Sequence, residues 1–189
     1  EFYARRQPQH RDAVVTARFA VGRAIAGADA VVIPGGHVGV LLGALHVFNV
    51  APALAAPPEE DDERDEDAAP RLHRPIIAWG AGAMALTERV LLFFDNSAVR
   101  PDVSEVLMRG LGLTRDVVAL PSPRTRLDLR NQVRLQMLAT RCAPAVPLLL
   151  DEHAEVTLQE DGRLPAGAPV LGPDGSITTH EPPAAGGTG

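Results

Sequence analysis

Several residue types on which catalytic and metal-binding sites depend are scarce in this sequence. Cys142 is the only cysteine, which excludes an internal disulfide and a cysteine-based zinc site. Its position between a helical stretch and an apolar run predicts a small buried residue rather than a nucleophile. All 18 basic residues are arginine, so a lysine base, a Schiff-base lysine and a phosphate-loop lysine are excluded. The chain has only four serines: Ser97, Ser104, Ser122 and Ser176.

Long apolar runs and basic surface stripes are also missing. No run approaches the roughly 18 apolar residues of a membrane span, and no basic stripe interleaved with aromatic residues indicates nucleic acid. The 6 histidines are scattered, with no pair at the i, i+4 spacing of a helical metal site. We therefore expect a cytoplasmic protein without a metal, a cofactor, a membrane or nucleic acid as partner.

The net charge of −6 originates in one short segment. Residues 59–67, EEDDERDED, carry all of this excess of acids, and the rest of the chain is about neutral. Flanking prolines and alanines predict a solvated insertion loop over residues 57–70. A metal-binding or docking role for this loop stays open.

Alternation of apolar runs with helical patterns predicts an α/β fold. We expect a doubly wound parallel sheet with helices on both faces and a small antiparallel C-terminal extension after residue 154. The expected strands lie near residues 29–36, 74–80, 90–95, 116–121 and 145–152, and the expected helices near 12–28, 38–54, 81–90, 100–112 and 124–141. Residues 1–180 are expected to form one domain, followed by a flexible tail at 181–189. Because the pattern opens on a helix, we also expect that N-terminal strands are missing from this sequence.

The stretch PIIAWGAGAMAL, residues 75–86, predicts a buried strand, a tight glycine turn and the start of a helix. In a nucleophile elbow, the catalytic residue stands at such a turn, between strand and helix. Small residues flank it because the two backbones nearly touch. Here Gly80 holds that position and Ala81 follows it, and glycine has no side chain that could attack a substrate. An ordinary strand-to-helix turn has a similar pattern.

Four segments together resemble the cyanophycinase and dipeptidase E family of serine peptidases, relatives of the class I glutamine amidotransferases. In chain order they are ADAVVIPGGHVGVLL, PIIAWGAGAMAL, ALPSPRTRLDLRNQ and LLLDEHAEVTLQEDGR. They cover roughly residues 29–180 of the sequence. The resemblance implies an amidotransferase-like domain with an elbow at Gly80 and a substrate-binding border at Gly35, Gly36 and His37. It also implies a peptide-like ligand and a homodimer or another protein partner.

The sequence departs from this family at the positions that carry the chemistry. Gly80 stands where the family has its serine. Matching Arg124 and Arg126 to the family's Arg-x-Arg-Leu places Leu120 at the histidine position, and a shift of two residues reaches Ser122. Asp95 matches the acidic triad residue of dipeptidase E-like members, although an aspartate that caps a strand end is an equal alternative. At least two of the three parts of a triad are therefore absent.

These departures predict a catalytically inactive relative that serves as a binding or assembly module. The alternative is an active hydrolase of peptide or aspartyl bonds with a rearranged site, with a hydroxyl within about 3.5 Å of an imidazole near residue 80. A third possibility is a fragment completed by a missing N-terminal part or by a partner subunit. In the inactive protein, we expect bulky apolar side chains such as Leu120 to fill part of the pocket above Gly80.

Overall fold

A computed structural model describes residue 7 and residues 10–56, 70–95 and 102–182. The acidic segment 59–67 and the tail residues 183–189 lie outside these ranges. The chain is a mixed α/β protein. Its helices and strands, in chain order, are α1 (Asp12–Ala26), β1 (Val31–Ile33), α2 (Val38–Val47), α3 (Val50–Leu54), β2 (Ile76–Ala78), α4 (Ala81–Leu86), β3 (Arg89–Phe94), β4 (Asp102–Arg109), β5 (Val117–Pro121), α5 (Pro123–Arg126), α6 (Gln132–Cys142), β6 (Val146–Leu150), β7 (Pro169–Leu171) and β8 (Ile177–Thr179).

Strands β1 and β2 form a parallel pair in which Val32 lies opposite Ile77. One face of this pair packs against α1 and α3 in an apolar cluster centred on Ile33, Val50 and Leu54. Val32 and Ile77 point to the other face, and both are more than half exposed. Within the described residues, helices on both faces of the sheet are therefore not confirmed at this pair.

Strands β5 to β8 form a separate four-stranded sheet in the order β5-β6-β7-β8. Strand β5 is parallel to β6, and β7 and β8 continue the sheet in antiparallel pairing. The predicted antiparallel extension is thus confirmed, and it extends the same sheet. Helix α6 packs Leu135 and Leu138 against Leu120 in the largest buried cluster. The described residues form several small sheets, parallel and antiparallel, instead of one continuous parallel sheet.

The helix predicted over residues 100–112 is wrong, because residues 102–109 form strand β4. This strand pairs antiparallel with β3, with Val106 opposite Leu92 and Met108 opposite Val90. A proline at one end and glycines at the other are typical of helix boundaries, but here tertiary pairing overrides that local pattern.

Three other predicted helices are shorter or are divided. Helix α4 ends at Leu86, and Thr87 follows it with an extended backbone. The single hydroxyl hydrogen of Thr87 lies within reach of two carbonyl oxygens, those of Met84 at 2.8 Å and Arg89 at 2.7 Å. Asn49 adopts a left-handed backbone between α2 and α3. The helix predicted over 124–141 divides into α5 and α6, and Asn131 caps α6 by accepting from the Arg134 N–H at 3.1 Å. Among the helices described, none is both long and apolar enough to span a bilayer.

The β7–β8 turn at Asp174-Gly175 is closed by an aspartate carboxylate. Asp174 Oδ1 accepts from the backbone N–H and the hydroxyl of Ser176, and these hydrogen bonds lower the pKa of Asp174 below its ordinary 3.8. Because the pKa of Asp174 is lower in the folded than in the unfolded protein, its ionised carboxylate stabilises the turn at pH values above the unfolded pKa. This stabilisation is lost as the pH falls through the pKa of the folded protein. We expect Ser176→Ala to raise the pKa of Asp174 towards 3.8 in an NMR titration of its carboxyl carbon. The backbone N–H of residue 176 is retained in this variant, so an unchanged pKa would show that the hydroxyl hydrogen bond does not form.

Candidate functional site

The turn at Gly80 has a backbone conformation that side chains rarely tolerate. Gly80 stands between β2 and α4 with φ 55° and ψ −124°, outside the left-handed region that other residues occasionally visit. A residue with a side chain held in such a region stores on the order of 1–3 kcal/mol of strain, which glycine avoids, and a nucleophile elbow is built on a turn of this kind. The strand, the sharp turn and the immediate helix predicted at residues 75–86 are all present.

The glycine loop after β1 packs directly against this turn. A Cβ atom built on Gly80 would lie 3.2 Å from the Cα of Gly35, and one on Gly35 would lie 3.8 Å from the Trp79 side chain and 3.9 Å from the Ala81 nitrogen. Helix α4 also approaches β1 very closely, since a Cβ on Gly82 would lie 1.9 Å from the carbonyl oxygen of Ile33. The structure therefore brings together Gly35, Gly80 and Ala81, which the sequence placed at one site.

His37 begins helix α2 immediately after Gly36. Its Nδ1 accepts from the Val40 N–H at 3.4 Å, and the residue is exposed. An imidazole that caps a helix in this way has a local structural role. His37 follows the glycine loop in the sequence. Its capping hydrogen bond does not assign it a role in substrate binding.

Asp95, the predicted triad remnant, is engaged in an ion pair inside the protein. Its carboxylate accepts from Arg134 Nε at 2.6 Å and from Arg134 Nη2 at 2.7 Å, and only 8% and 4% of the two side chains are exposed. This bidentate pair connects the end of β3 to α6. Because both oxygens of Asp95 bind Arg134, the carboxylate has a structural role, which is to hold the end of β3 against α6.

Leu120 lies in the middle of β5 and is fully buried. Its neighbours belong to the cluster of β3, β5 and α6, including Leu91, Phe93 and Leu138. Apart from its chain neighbours Trp79 and Ala81, only the Cα of Gly35 among the described residues comes within 4 Å of a Cβ position on Gly80. The Leu120 side chain therefore lies more than 4 Å from that position and belongs to the core, and the expected filling of a pocket above Gly80 stays a prediction.

Ser122 and His153 lie on the loops that leave the parallel strands β5 and β6. Both adopt positive φ, 52° and 67°, which is uncommon for these residue types. The Ser122 N–H donates to the Leu150 carbonyl oxygen at 2.8 Å, and its own carbonyl oxygen accepts from the first turn of α5. Asp151 binds the backbone N–H and the guanidinium of Arg124. These contacts fix the two loops to each other without using the serine hydroxyl.

No hydroxyl–imidazole hydrogen bond is present in the part of the chain that the structure describes. The described histidines form one side-chain hydrogen bond, that of His37. Within the same residues, no group of three or more potential ligands could hold a metal ion. Cys142 is buried, as predicted.

Two cavities of about 380 and 370 Å³ lie away from Gly80. The first is lined by Arg124 and residues 127–130, and the second lies between the C-terminal end of α6 and the β7–β8 hairpin. Neither includes Gly35, Gly80 or Ala81 in its lining.

The contacts of two arginines, Arg134 and Arg126, were not predicted from the sequence. Arg134 sits four residues before Leu138 on the buried side of α6, and a charge on an apolar helix face signals a buried partner. Arg126 lies over the ring of Phe93, 4.6 Å from its centroid, and burial lowers the pKa of its guanidinium. The sequence separation of Arg126 and Phe93 does not predict this cation–π contact.

Comparisons with known proteins leave the family of this chain open. No protein-family model, no curated protein and no solved structure matches it.

Proposed function

We propose that this protein is a catalytically inactive relative of the cyanophycinase and dipeptidase E serine peptidases that serves as a binding or assembly module. The proposal includes their doubly wound, amidotransferase-like arrangement and a cytoplasmic location. One observation carries it: an elbow-like backbone at Gly80, packed against the Gly35 loop, with no side chain at the nucleophile position.

The surroundings of Gly80 support inactivity. A serine nucleophile needs a base within hydrogen-bond reach, and the base needs an orienting acid. Leu120, at the position of the base, belongs to the core, and Asp95 binds Arg134 with both oxygens. Without a nucleophile, a base and a free carboxylate, the elbow offers backbone groups and the exposed ring of Trp79. These groups can contact a ligand but cannot hydrolyse it.

An active hydrolase with a rearranged site is the competing function. Ser122 and His153 are its best components, because they occupy neighbouring strand ends and both have strained backbones. The lack of a hydrogen bond between a hydroxyl and an imidazole in the described residues favours the inactive protein.

The proposal is tested with the wild type and the Gly80→Ser variant, assayed for hydrolysis of β-aspartyl dipeptides and of a cyanophycin-like polymer. We expect no turnover from either protein, because a serine added at residue 80 has no base. Gly80→Ser should also lower the free energy of unfolding by about 1–3 kcal/mol, owing to the strained backbone.

A Ser122→Ala variant of the wild type is the matched control for the rearranged site. Wild-type turnover would overturn the proposal, and its loss in a Ser122→Ala variant that keeps the wild-type stability would assign the activity to the rearranged site.

A further inference from the structure

We draw no further inference here: the strongest candidate, the cavity of about 370 Å³ between the C-terminal end of α6 and the β7–β8 hairpin, is lined mainly by apolar side chains, and nothing in the residues that the structure describes shows what covers it.

Discussion

Replacing Gly82 by alanine is expected to lower the free energy of unfolding by more than about 3 kcal/mol. The added Cβ would lie 1.9 Å from the carbonyl oxygen of Ile33 and 2.9 Å from that of Pro34. Both obstacles are backbone atoms, so helix α4 or strand β1 must move. Urea denaturation followed by far-UV circular dichroism measures the loss.

Gly43→Ala is the matched control for this substitution. Gly43 lies inside helix α2, and no atom comes within 4 Å of its Cβ position among the described residues. Alanine has the higher helix propensity, so this variant should be more stable by up to about 1 kcal/mol. Equal effects of the two substitutions would show that α4 does not approach β1 as closely as described.

Removing either partner of the Asp95–Arg134 ion pair is expected to cost about 3–5 kcal/mol of folding free energy, because the remaining charge stays buried after the bidentate contact is lost. Asp95→Leu and Arg134→Met are the single variants, and their combination should recover at least half of the loss. Urea midpoints of the four proteins give the coupling free energy.

The exposed pair of Asp128 and Arg130 is the control for this cycle. Arg130 Nε lies 3.3 Å from Asp128 Oδ1, but 94% of the arginine side chain is exposed. Arg130→Met should leave the unfolding free energy unchanged within error. If Asp95→Leu were as mild as Arg130→Met, Asp95 would not be a structural residue.

Strands β5 and β6 could be predicted because the information that forms them is local. Residues 117–121 form an uninterrupted apolar run that is buried at every position, as expected for a parallel strand inside a protein. The elbow around Gly80 was predictable for the same reason, since a strand, small residues and a helix follow one another without interruption.

The errors arise where distant residues decide the structure. Strand β4 has boundary residues that are typical of a helix, and only its pairing with β3 makes it a strand. Asp95 could not be assigned from its position, because Arg134 lies 39 residues away. The exposure of Val32 and Ile77 on one side of β1–β2 is likewise a property of the whole fold, because their sequence pattern is that of a fully buried strand.

A missed local signal explains the division between α5 and α6. Asp128 accepts from the Arg130 N–H at 3.1 Å, and Asn131 then caps α6. Asp and Asn three residues apart inside a helical pattern favour a turn followed by a new helix start. The amphipathic pattern on both sides of this break concealed it.

The central claim, that the elbow at Gly80 lacks any activated nucleophile, can be tested without knowing a substrate. Intact protein is incubated with a fluorophosphonate probe that reacts with activated serines, and peptide mass spectrometry then locates adducts. We predict no adduct on any of the four serines beyond the level of the heat-denatured protein. A stoichiometric adduct on Ser122, abolished by changing His153 to alanine, would contradict the account.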